Sequence, residues 1–139
     1  MAEYKLLLPD NRDQETAPYW EAARNHKLAL QRCSNCLSFR HPPQKICSNC
    51  YSERSDWVTV SGKGKIHTYV IIHQPVLAPY RDLAPYDVIR VSPDEAPSVQ
   101  ITGNLVDPAQ RAQLAVGKPV EVVFDDVTDT DTIPRWRLV

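Results

Sequence analysis

The sequence predicts a mainly β fold in three parts: a helical arm over residues 1–31, a cysteine-rich ribbon over residues 32–56 and a small barrel over residues 57–139. Three observations support this division. Apolar residues recur at roughly helical spacing near the end of the first part. All four cysteines fall within the second part. The third part contains short runs of β-branched residues separated by glycine and proline.

The composition is that of a folded chain. Its 139 residues are 42% hydrophobic and 24% charged, which is enough to bury a core. No apolar run approaches the ~20 residues that a transmembrane helix needs, and residues 1–9 lack the features of a signal peptide. We therefore expect a cytoplasmic protein without membrane association. In that reducing compartment, closely spaced cysteines usually serve metal or redox chemistry instead of structural disulfides.

The arm is expected to end in a helix. Thr16 is suited to cap this helix, and Pro18 is tolerated in its first turn. Apolar residues then recur at roughly helical spacing, namely Tyr19, Trp20, Ala23, Leu28 and Leu30. Tyr19 and Trp20 either pack the helix onto its neighbours or dock it on a partner protein, and the pattern alone is compatible with both.

The tetrapeptide Cys-Ser-Asn-Cys occurs twice, at residues 33–36 and 47–50. Each Cys-x-x-Cys can form a tight knuckle, and two knuckles can place four thiolates tetrahedrally around zinc. A thioredoxin-like site would need one pair at a helix start in a βαβ context, which is not evident here. Four thiolates leave no open coordination position. We therefore expect one structural Zn²⁺ bound by Cys33, Cys36, Cys47 and Cys50, with disulfides or redox pairs as the alternatives.

The sequence pattern of the last part of the chain predicts five or six short strands. They are expected at residues 57–60, 65–73, 86–91, 98–105, 120–124 and 135–139, with an ordered proline-rich loop at 74–85 and a short helix or turn at 107–114. The absence of a long helical run between strands disfavours a parallel α/β sheet. The pattern fits a small Greek-key barrel, of which the OB-fold is the commonest instance.

The sequence shows no convincing catalytic constellation. The four cysteines are assigned to the metal, and Ser61 and Ser98 lack the flanking residues of a nucleophile elbow. The four glycines form no Walker or Rossmann motif. We therefore expect no catalytic residues in this chain.

The order of these parts resembles the zinc-ribbon plus OB-fold proteins associated with acyl-CoA enzymes, catalogued as domain of unknown function 35. The resemblance is carried by YWEAARNHKLALQRCSNC, PPQKICSNC, GKGKIHTYVIIHQP, APYDVIRV, QITGNLVD, VGKPVEVVFDDV and IPRWRLV. These segments follow the family's order and cover most of residues 19–139. One departure concerns the residue after the second cysteine of each knuckle, which is usually glycine in the family and is Leu37 and Tyr51 here.

The resemblance implies a rubredoxin-like zinc ribbon followed by a five-stranded Greek-key barrel of the OB-fold class. It also implies a non-catalytic accessory subunit, because family members form complexes with thiolase-fold enzymes that carry the catalysis. Those partners include thiolases, synthases, acyltransferases and the lipid-transfer-protein-like aldolases of steroid side-chain breakdown. We expect a hetero-oligomer of two plus two subunits in fatty-acid or steroid metabolism, with a CoA thioester at the interface. Condensation and retro-aldol cleavage both stay open.

Large aromatic and apolar residues on loops indicate where such a partner would dock. The proline-rich loop and the C-terminal IPRWR segment supply most of them, together with the aromatic pair of the arm. The expected interface residues are Tyr19, Trp20, Leu77, Tyr80, Tyr86 and Trp136. The alternative is that Tyr80, Tyr86 and Trp136 close the ends of the barrel.

Zinc ribbons and OB-folds also bind nucleic acids, which gives the main alternative function. The formal net charge of −1 opposes it, because nucleic-acid binding needs a basic surface. The charge is uneven, however, since residues 22–67 carry eight Lys and Arg against two acidic residues. Such a basic patch suits the phosphates of CoA as well as those of RNA. Because the net charge of the whole chain is negative, we expect no nucleic-acid partner.

Overall fold

Two antiparallel sheets and one short helix make up the computed structural model, which describes residues 3–139. The elements in chain order are α1 (Ala17–Arg24), β1 (Leu28–Cys33), β2 (Phe39–Arg40), β3 (Ser55–Val60), β4 (Lys63–Ile72), β5 (Tyr86–Pro93), β6 (Ile101–Gly103), β7 (Pro119–Asp126) and β8 (Thr132–Leu138). Two 3₁₀ helices span Ala78–Leu83 and Pro108–Gln113. None of the helices described here is long and apolar enough to cross a membrane. The first two residues of the predicted arm lie outside the described residues.

Helix α1 begins where the sequence predicts. Thr16 occupies the N-cap position and a proline lies in the first turn, although the Thr16 hydroxyl makes no capping hydrogen bond. At the other end, His26 adopts a left-handed conformation with φ 53°. Its N–H donates to the carbonyl of Ala23, and the N–H of Lys27 donates to the carbonyl of Ala22, both at 2.9 Å. This pair of bonds is a Schellman motif, which terminates the helix.

The prediction that the helix extends through Leu28 and Leu30 is wrong. Both residues lie in β1, with Leu28 opposite Val60 and Leu30 opposite Val58 on β3. Leu28 and Leu30 follow Trp20 and Ala23 by eight and seven residues, which fits a helix, but their mutual spacing of two residues is that of a strand. The left-handed residue at His26 ends the helix before they are reached. Both side chains are buried, so they contribute to the core from a strand instead.

The smaller sheet has the strand order β2-β1-β3 and carries the cysteine knuckles. Residues 57–60, which the sequence assigns to the barrel, pair here with β1. Gly62, with φ +80°, then forms the tight turn from β3 into β4, because this backbone conformation favours glycine. The boundary between residues 56 and 57 stays a prediction, and β3 runs across it.

The larger sheet has the order β6-β5-β4-β7-β8. A parallel bridge between Leu105 and Trp136 joins the chain after β6 to β8. The N–H of Trp136 donates to the carbonyl of Asn104 at 3.0 Å, and the N–H of Val106 donates to the carbonyl of Trp136 at 2.8 Å. The sheet is thereby nearly closed into a five-stranded antiparallel barrel, and the predicted mainly β, OB-type fold is confirmed.

Two barrel strands begin three residues away from their predicted starts. β6 covers only three residues of the predicted 98–105, because the chain turns before it, where the N–H of Val99 donates to the carbonyl of Ala96 at 3.1 Å. β8 begins at Thr132, three residues before the predicted 135–139. It accommodates Pro134 because β8 is the last strand of its sheet, and a strand edge tolerates a missing N–H donor.

The core lies inside the barrel and continues under β1. Trp136 is its largest fully buried side chain, with 0% exposure. A Cβ atom on Gly103 would lie 2.9 Å from the indole Cδ1 and Nε1 atoms, so glycine is required where the indole packs against β6. Other fully buried members include Leu30, Ile66, Ile89, Ile101, Val91 and Val120.

Candidate metal centre

The four cysteines converge at one point between the two knuckles. Their Sγ atoms all lie within 4.8 Å of one another. The Sγ atoms of Cys33 and Cys50 are 3.6 Å apart, as are those of Cys36 and Cys47. A tetrahedral zinc with Zn–S bonds of about 2.3 Å requires sulfur–sulfur distances of about 3.8 Å. The spacing therefore fits a zinc site, and none of the four cysteines forms a disulfide.

Local backbone geometry explains why each Cys-x-x-Cys forms a knuckle. The N–H of Leu37 donates to the carbonyl of Cys33 at 3.0 Å, and the N–H of Tyr51 donates to that of Cys47 at 2.9 Å. Leu37 and Tyr51 have φ values of 61° and 62°, the left-handed region that favours glycine. Both knuckles thus adopt the same turn despite the larger side chains.

Polar side chains beside the cysteines donate hydrogen bonds to their sulfur atoms. The Ser38 hydroxyl lies 3.0 Å from the Cys36 sulfur, and the Asn35 amide donates to the Cys50 sulfur at 3.5 Å. The hydrogen bond from Ser38, followed by that from Asn49, lowers the pKa of Cys36 to about 5. The thiolate is the form that binds zinc. Sequence reasoning did not assign a role to these residues, although their place beside or between the cysteines is a usable signal.

The pKa of Cys47 is also lowered, to about 7. The largest cause is the backbone N–H of Cys50, followed by the Ser38 side chain. At Cys50 the bond from Asn35 lowers the pKa, but burial and the neighbouring Cys33 and Cys36 thiols raise that pKa overall. Cys33 and Cys47 are buried, whereas Cys36 and Cys50 are half-buried. Four sulfur ligands complete a tetrahedral shell, so this arrangement suits a structural metal and offers no coordination position for a substrate.

The predicted interface residues fall in different environments. Tyr19 is buried, and its ring meets the half-buried Trp20 edge-on, with centroids 5.0 Å apart and planes at 86°. Trp136 is completely buried in the barrel. Its assignment to an accessible partner surface is therefore corrected, because its indole fills the core between β6 and β8 and cannot contact another protein without opening the barrel.

Of the other three residues, Tyr80 and Tyr86 line one surface cavity, and Leu77 lies outside its lining. Tyr80 and Tyr86 are half-buried, with ring centroids 6.0 Å apart, and Leu77 just before them is 52% exposed. We call the adjoining cavity of about 460 Å³ the tyrosine groove. It is defined by Leu7, Tyr80, Leu83, Tyr86, Val106 and Arg135. Tyr19 and Trp20 do not line it.

Two family models match consecutive parts of the chain. Residues 20–56 match the family model of the rubredoxin-like zinc ribbon domain of ChsH2. Residues 57–125 match that of the C-terminal OB-fold domain of ChsH2. The two matches together cover most of the chain and follow each other without a gap.

The related proteins are of two kinds. A probable enoyl-CoA hydratase alpha subunit of Thermomonospora curvata is 32% identical over 90% of this chain, and a 3-oxo-4,17-pregnadiene-20-carboxyl-CoA hydratase alpha subunit of Mycobacterium tuberculosis is 30% identical over 95% of it. The chain spans only 38% and 39% of those two proteins. A DUF35 domain-containing scaffold protein of Methanocaldococcus jannaschii is 33% identical, covering 81% of this chain and 79% of that protein.

A solved structure gives the same result in three dimensions. A chain described as Ltp2-ChsH2(DUF35) aldolase superimposes with a TM-score of 0.78 at 30% identity, covering 91% of this chain and 95% of that chain. The fold is thus shared over most of both chains. This chain belongs to the DUF35 family of zinc-ribbon and OB-fold proteins.

Proposed function

We propose that this protein is a non-catalytic accessory subunit of an enzyme that acts on CoA thioesters, with the catalytic residues on the partner. The observation that carries the proposal is the near-complete match to the DUF35 chain of an aldolase, which covers 91% of this chain. The hydratase alpha subunits with CoA in their names, and the relatives named as scaffold proteins, support the same role.

The finer proposal is that the partner has a thiolase fold and acts in fatty-acid or steroid side-chain metabolism. Family resemblance supports the thiolase fold, and the steroid-CoA name of one relative supports the metabolic setting. We propose a hetero-oligomer of two plus two subunits, because a two-fold symmetric enzyme dimer presents two equivalent sites for an accessory chain. The CoA thioester would then lie near the contact between the two proteins.

The tyrosine groove and the loop beside it are the surface that we propose for partner docking. Leu77 and Leu83 are 52% and 47% exposed, and Val106 across the groove is 39% exposed. Aliphatic side chains clustered around two tyrosines are typical of an interface centre. The intervening 3₁₀ helix contains Pro79, which lowers the entropy that the loop loses on binding.

We propose that the metal centre has a structural role. One Zn²⁺ bound by Cys33, Cys36, Cys47 and Cys50 would tie the two knuckles together and fix the ends of β1 and β3. A ribbon of this size has little core of its own, so metal binding supplies much of its folding free energy. The zinc would therefore stabilise the folded ribbon and the surface it exposes, without taking part in the reaction.

A binding experiment with purified proteins tests the function. The isolated chain should turn over no acyl-CoA, β-ketoacyl-CoA or hydroxyacyl-CoA substrate, and it should raise the activity or soluble yield of a thiolase-fold enzyme from the same cell. Leu83→Asp should weaken complex formation by about 2 kcal/mol, which is typical of a residue at an interface centre, because Leu83 lines the groove and is 47% exposed. Val116→Asp is the matched control, because Val116 is also an exposed aliphatic residue, at 68%, and lies outside the groove.

Two outcomes would contradict the proposal. Robust turnover by the purified chain alone would show that it is an enzyme in its own right. Specific retardation of the chain by single-stranded RNA or DNA, without any association with a thiolase-fold enzyme, would support nucleic-acid binding instead. If the complex forms and both Asp variants bind equally well, only the placement of the interface is wrong.

A further inference from the structure

A buried polar cluster connects β1 to β2 within the smaller sheet. Gln31 and Arg40 face each other in the register of these strands, and each is 7% exposed. The Gln31 Oε1 atom accepts hydrogen bonds from Arg40 Nε at 3.0 Å and from the Gln44 N–H at 2.8 Å. Gln31 Nε2 in turn donates to the Ser55 hydroxyl at 3.0 Å. The plane of the Arg40 guanidinium is thereby fixed through its Nε atom.

The other end of the same guanidinium is left without partners. Arg40 Nη1 and Nη2 are buried, and neither has a hydrogen-bond partner within residues 3–139. No carboxylate of the described residues forms an ion pair with Arg40. A buried charge without a counter-charge is energetically costly and is usually retained for a reason. The Arg40 Nη1 and Nη2 groups are thus free to donate to an anion from outside the chain.

Arg40 forms part of the wall of a cleft of about 480 Å³. Phe39, Pro42 and Ser48 line the cleft from the ribbon, and Arg90 and Ser98 line it from the barrel. No Asp or Glu is among the lining residues. Arg90 is exposed on β5 and has no ion pair among the residues that the structure describes. The cleft is therefore a polar space with two cationic side chains and no internal counter-charge.

We propose that this cleft binds a phosphoryl group, with Arg40 and Arg90 as its cationic contacts and Ser48 and Ser98 as neutral donors. The two free Nη groups of a guanidinium match two oxygens of a phosphate. A pair of arginines also binds a dianionic phosphate more favourably than it binds a carboxylate with a single charge. The Arg40 Nη atoms lie beneath the cleft surface. A lining side chain must therefore move when the anion binds, and binding should change the local structure.

The volume of the cleft exceeds that of a single phosphate, which favours a phosphoryl group carried by a larger molecule. Two sources supply this chemistry: inorganic phosphate itself and the phosphate groups of CoA. The CoA source rests on the proposed function, whereas the phosphoryl site itself is independent of it. Binding to the isolated chain tests the site, and complex formation with a partner enzyme tests the function, so the failure of one is distinguishable from the failure of the other.

The experiment titrates the full-length, zinc-loaded chain with inorganic phosphate, CoA and pantetheine, followed by calorimetry and by backbone NMR. Phosphate or CoA should saturate and shift the resonances of residues 39–44 and 98–100, whereas pantetheine, which lacks phosphate, should not. Arg90→Gln should weaken binding about tenfold or more, as expected for loss of a charge-assisted hydrogen bond. Arg40→Lys, which keeps the charge but removes the planar fork, should have a similar effect.

Arg54→Gln is the matched control, because Arg54 is exposed and does not line the cleft. It should leave binding unchanged within about twofold. If Arg40→Lys fails to fold, as judged by circular dichroism, Arg90→Gln alone decides, since its side chain is exposed. Saturation by CoA but not by inorganic phosphate identifies a carried phosphoryl group, and equal saturation identifies the free anion. No saturation by either ligand, an equal loss in Arg54→Gln, or equal binding of pantetheine would overturn the proposal.

Discussion

The imidazole ring of His26 lies parallel to the phenyl ring of Phe124, with centroids 5.5 Å apart and planes 5° apart. Its Nε2 atom is also 3.0 Å from both carboxylate oxygens of Asp126. His26 ends α1, whereas Phe124 and Asp126 lie on β7. The same left-handed residue that terminates the helix therefore attaches it to the barrel, across about a hundred residues of sequence.

Removing this ring should loosen the arm without unfolding the chain. Asn tolerates the left-handed backbone at position 26, so His26→Asn retains the turn but loses the stacking on Phe124 and the contact with Asp126. We expect the free energy of unfolding to fall by about 0.5–1 kcal/mol, since the pair is solvent-exposed. Chemical denaturation measures the change. The control is His73→Asn, at an exposed position just beyond β4, and an equal loss in both variants would contradict the role of His26.

Asp126 should contribute to the acid sensitivity of the fold. The Thr132 hydroxyl donates to it at 2.6 Å, and this bond, followed by the contact with His26, lowers the pKa of Asp126 below its ordinary value of 3.8. A lowered pKa in the folded state stabilises the fold above the unfolded-state pKa, and this contribution is lost as the pH falls through the folded pKa. The stability difference between wild type and Asp126→Asn should therefore shrink as the pH is lowered from about 6 to about 3.

Denaturation at several pH values measures this difference. Asp129→Asn serves as the control, because Asp129 is exposed in the turn between β7 and β8 and its side chain makes no hydrogen bond within residues 3–139. A wild-type-to-variant difference that stays constant with pH would show that Asp126 has the same pKa in both states.

Loss of one cysteine should release the metal and leave the barrel folded. Cys36→Ser removes one of four ligands, so we expect zinc to fall from one per chain to well below stoichiometric amounts. The NMR signals of residues 32–56 should broaden or shift, while those of β5 and β8 stay dispersed. Elemental analysis of protein purified without chelators provides the metal count, with Ser34→Ala as the control. Absence of zinc from the wild-type protein would contradict this prediction.

The two left-handed residues of the knuckles are sites at which stability can be gained. Leu37 and Tyr51 are 60% and 79% exposed, so little packing is lost when their side chains are removed. Leu37→Gly and Tyr51→Gly should each stabilise the zinc-loaded protein by about 1 kcal/mol, because glycine has no penalty at positive φ. Glu53→Gly, at an exposed position outside the left-handed region, should be neutral or destabilising. Thermal unfolding compares the three variants, and a gain for Glu53→Gly alone would refute the argument.

Trp136 and Tyr80 should respond differently to truncation. Trp136→Ala leaves a large cavity in the barrel and should cost about 3–5 kcal/mol, enough to unfold a marginal domain. Tyr80→Ala, at the rim of the tyrosine groove, should cost far less and leave the circular dichroism spectrum unchanged. Gly103→Ala should resemble Trp136→Ala, because the added methyl group overlaps the indole. A Trp136→Ala protein with wild-type stability would show that the indole does not support the barrel.

The features that the sequence predicts well are those encoded locally. The cysteine site depends on two tetrapeptides whose spacing is directly visible, and the structure brings all four sulfur atoms together. The long strand β4 follows from its β-branched residues, and the short helix or turn at 107–114 appears as a 3₁₀ helix. In each case the local preference and the final structure agree.

The features that the sequence does not predict depend on distant contacts. Leu28 and Leu30 fit two periodicities, and only the pairing of β1 with β3 decides between them. The burial of Trp136 depends on its bridge to Leu105, and the polar cluster of Arg40 depends on Gln31 across a strand pair. Such contacts are set by topology, which a single sequence does not reveal.

The path of β3 has a practical consequence for dissecting the protein. β3 pairs along its whole length with β1 and then turns directly into β4. A fragment starting at residue 57 would therefore begin with part of β3 but lack β1, its pairing partner. Exposed strand edges recruit other chains and promote aggregation. Trp57 and Val58 would lie on that edge. A soluble barrel fragment would therefore have to begin after Val60, and proteolysis between the knuckles should be tolerated better than cleavage at residue 57.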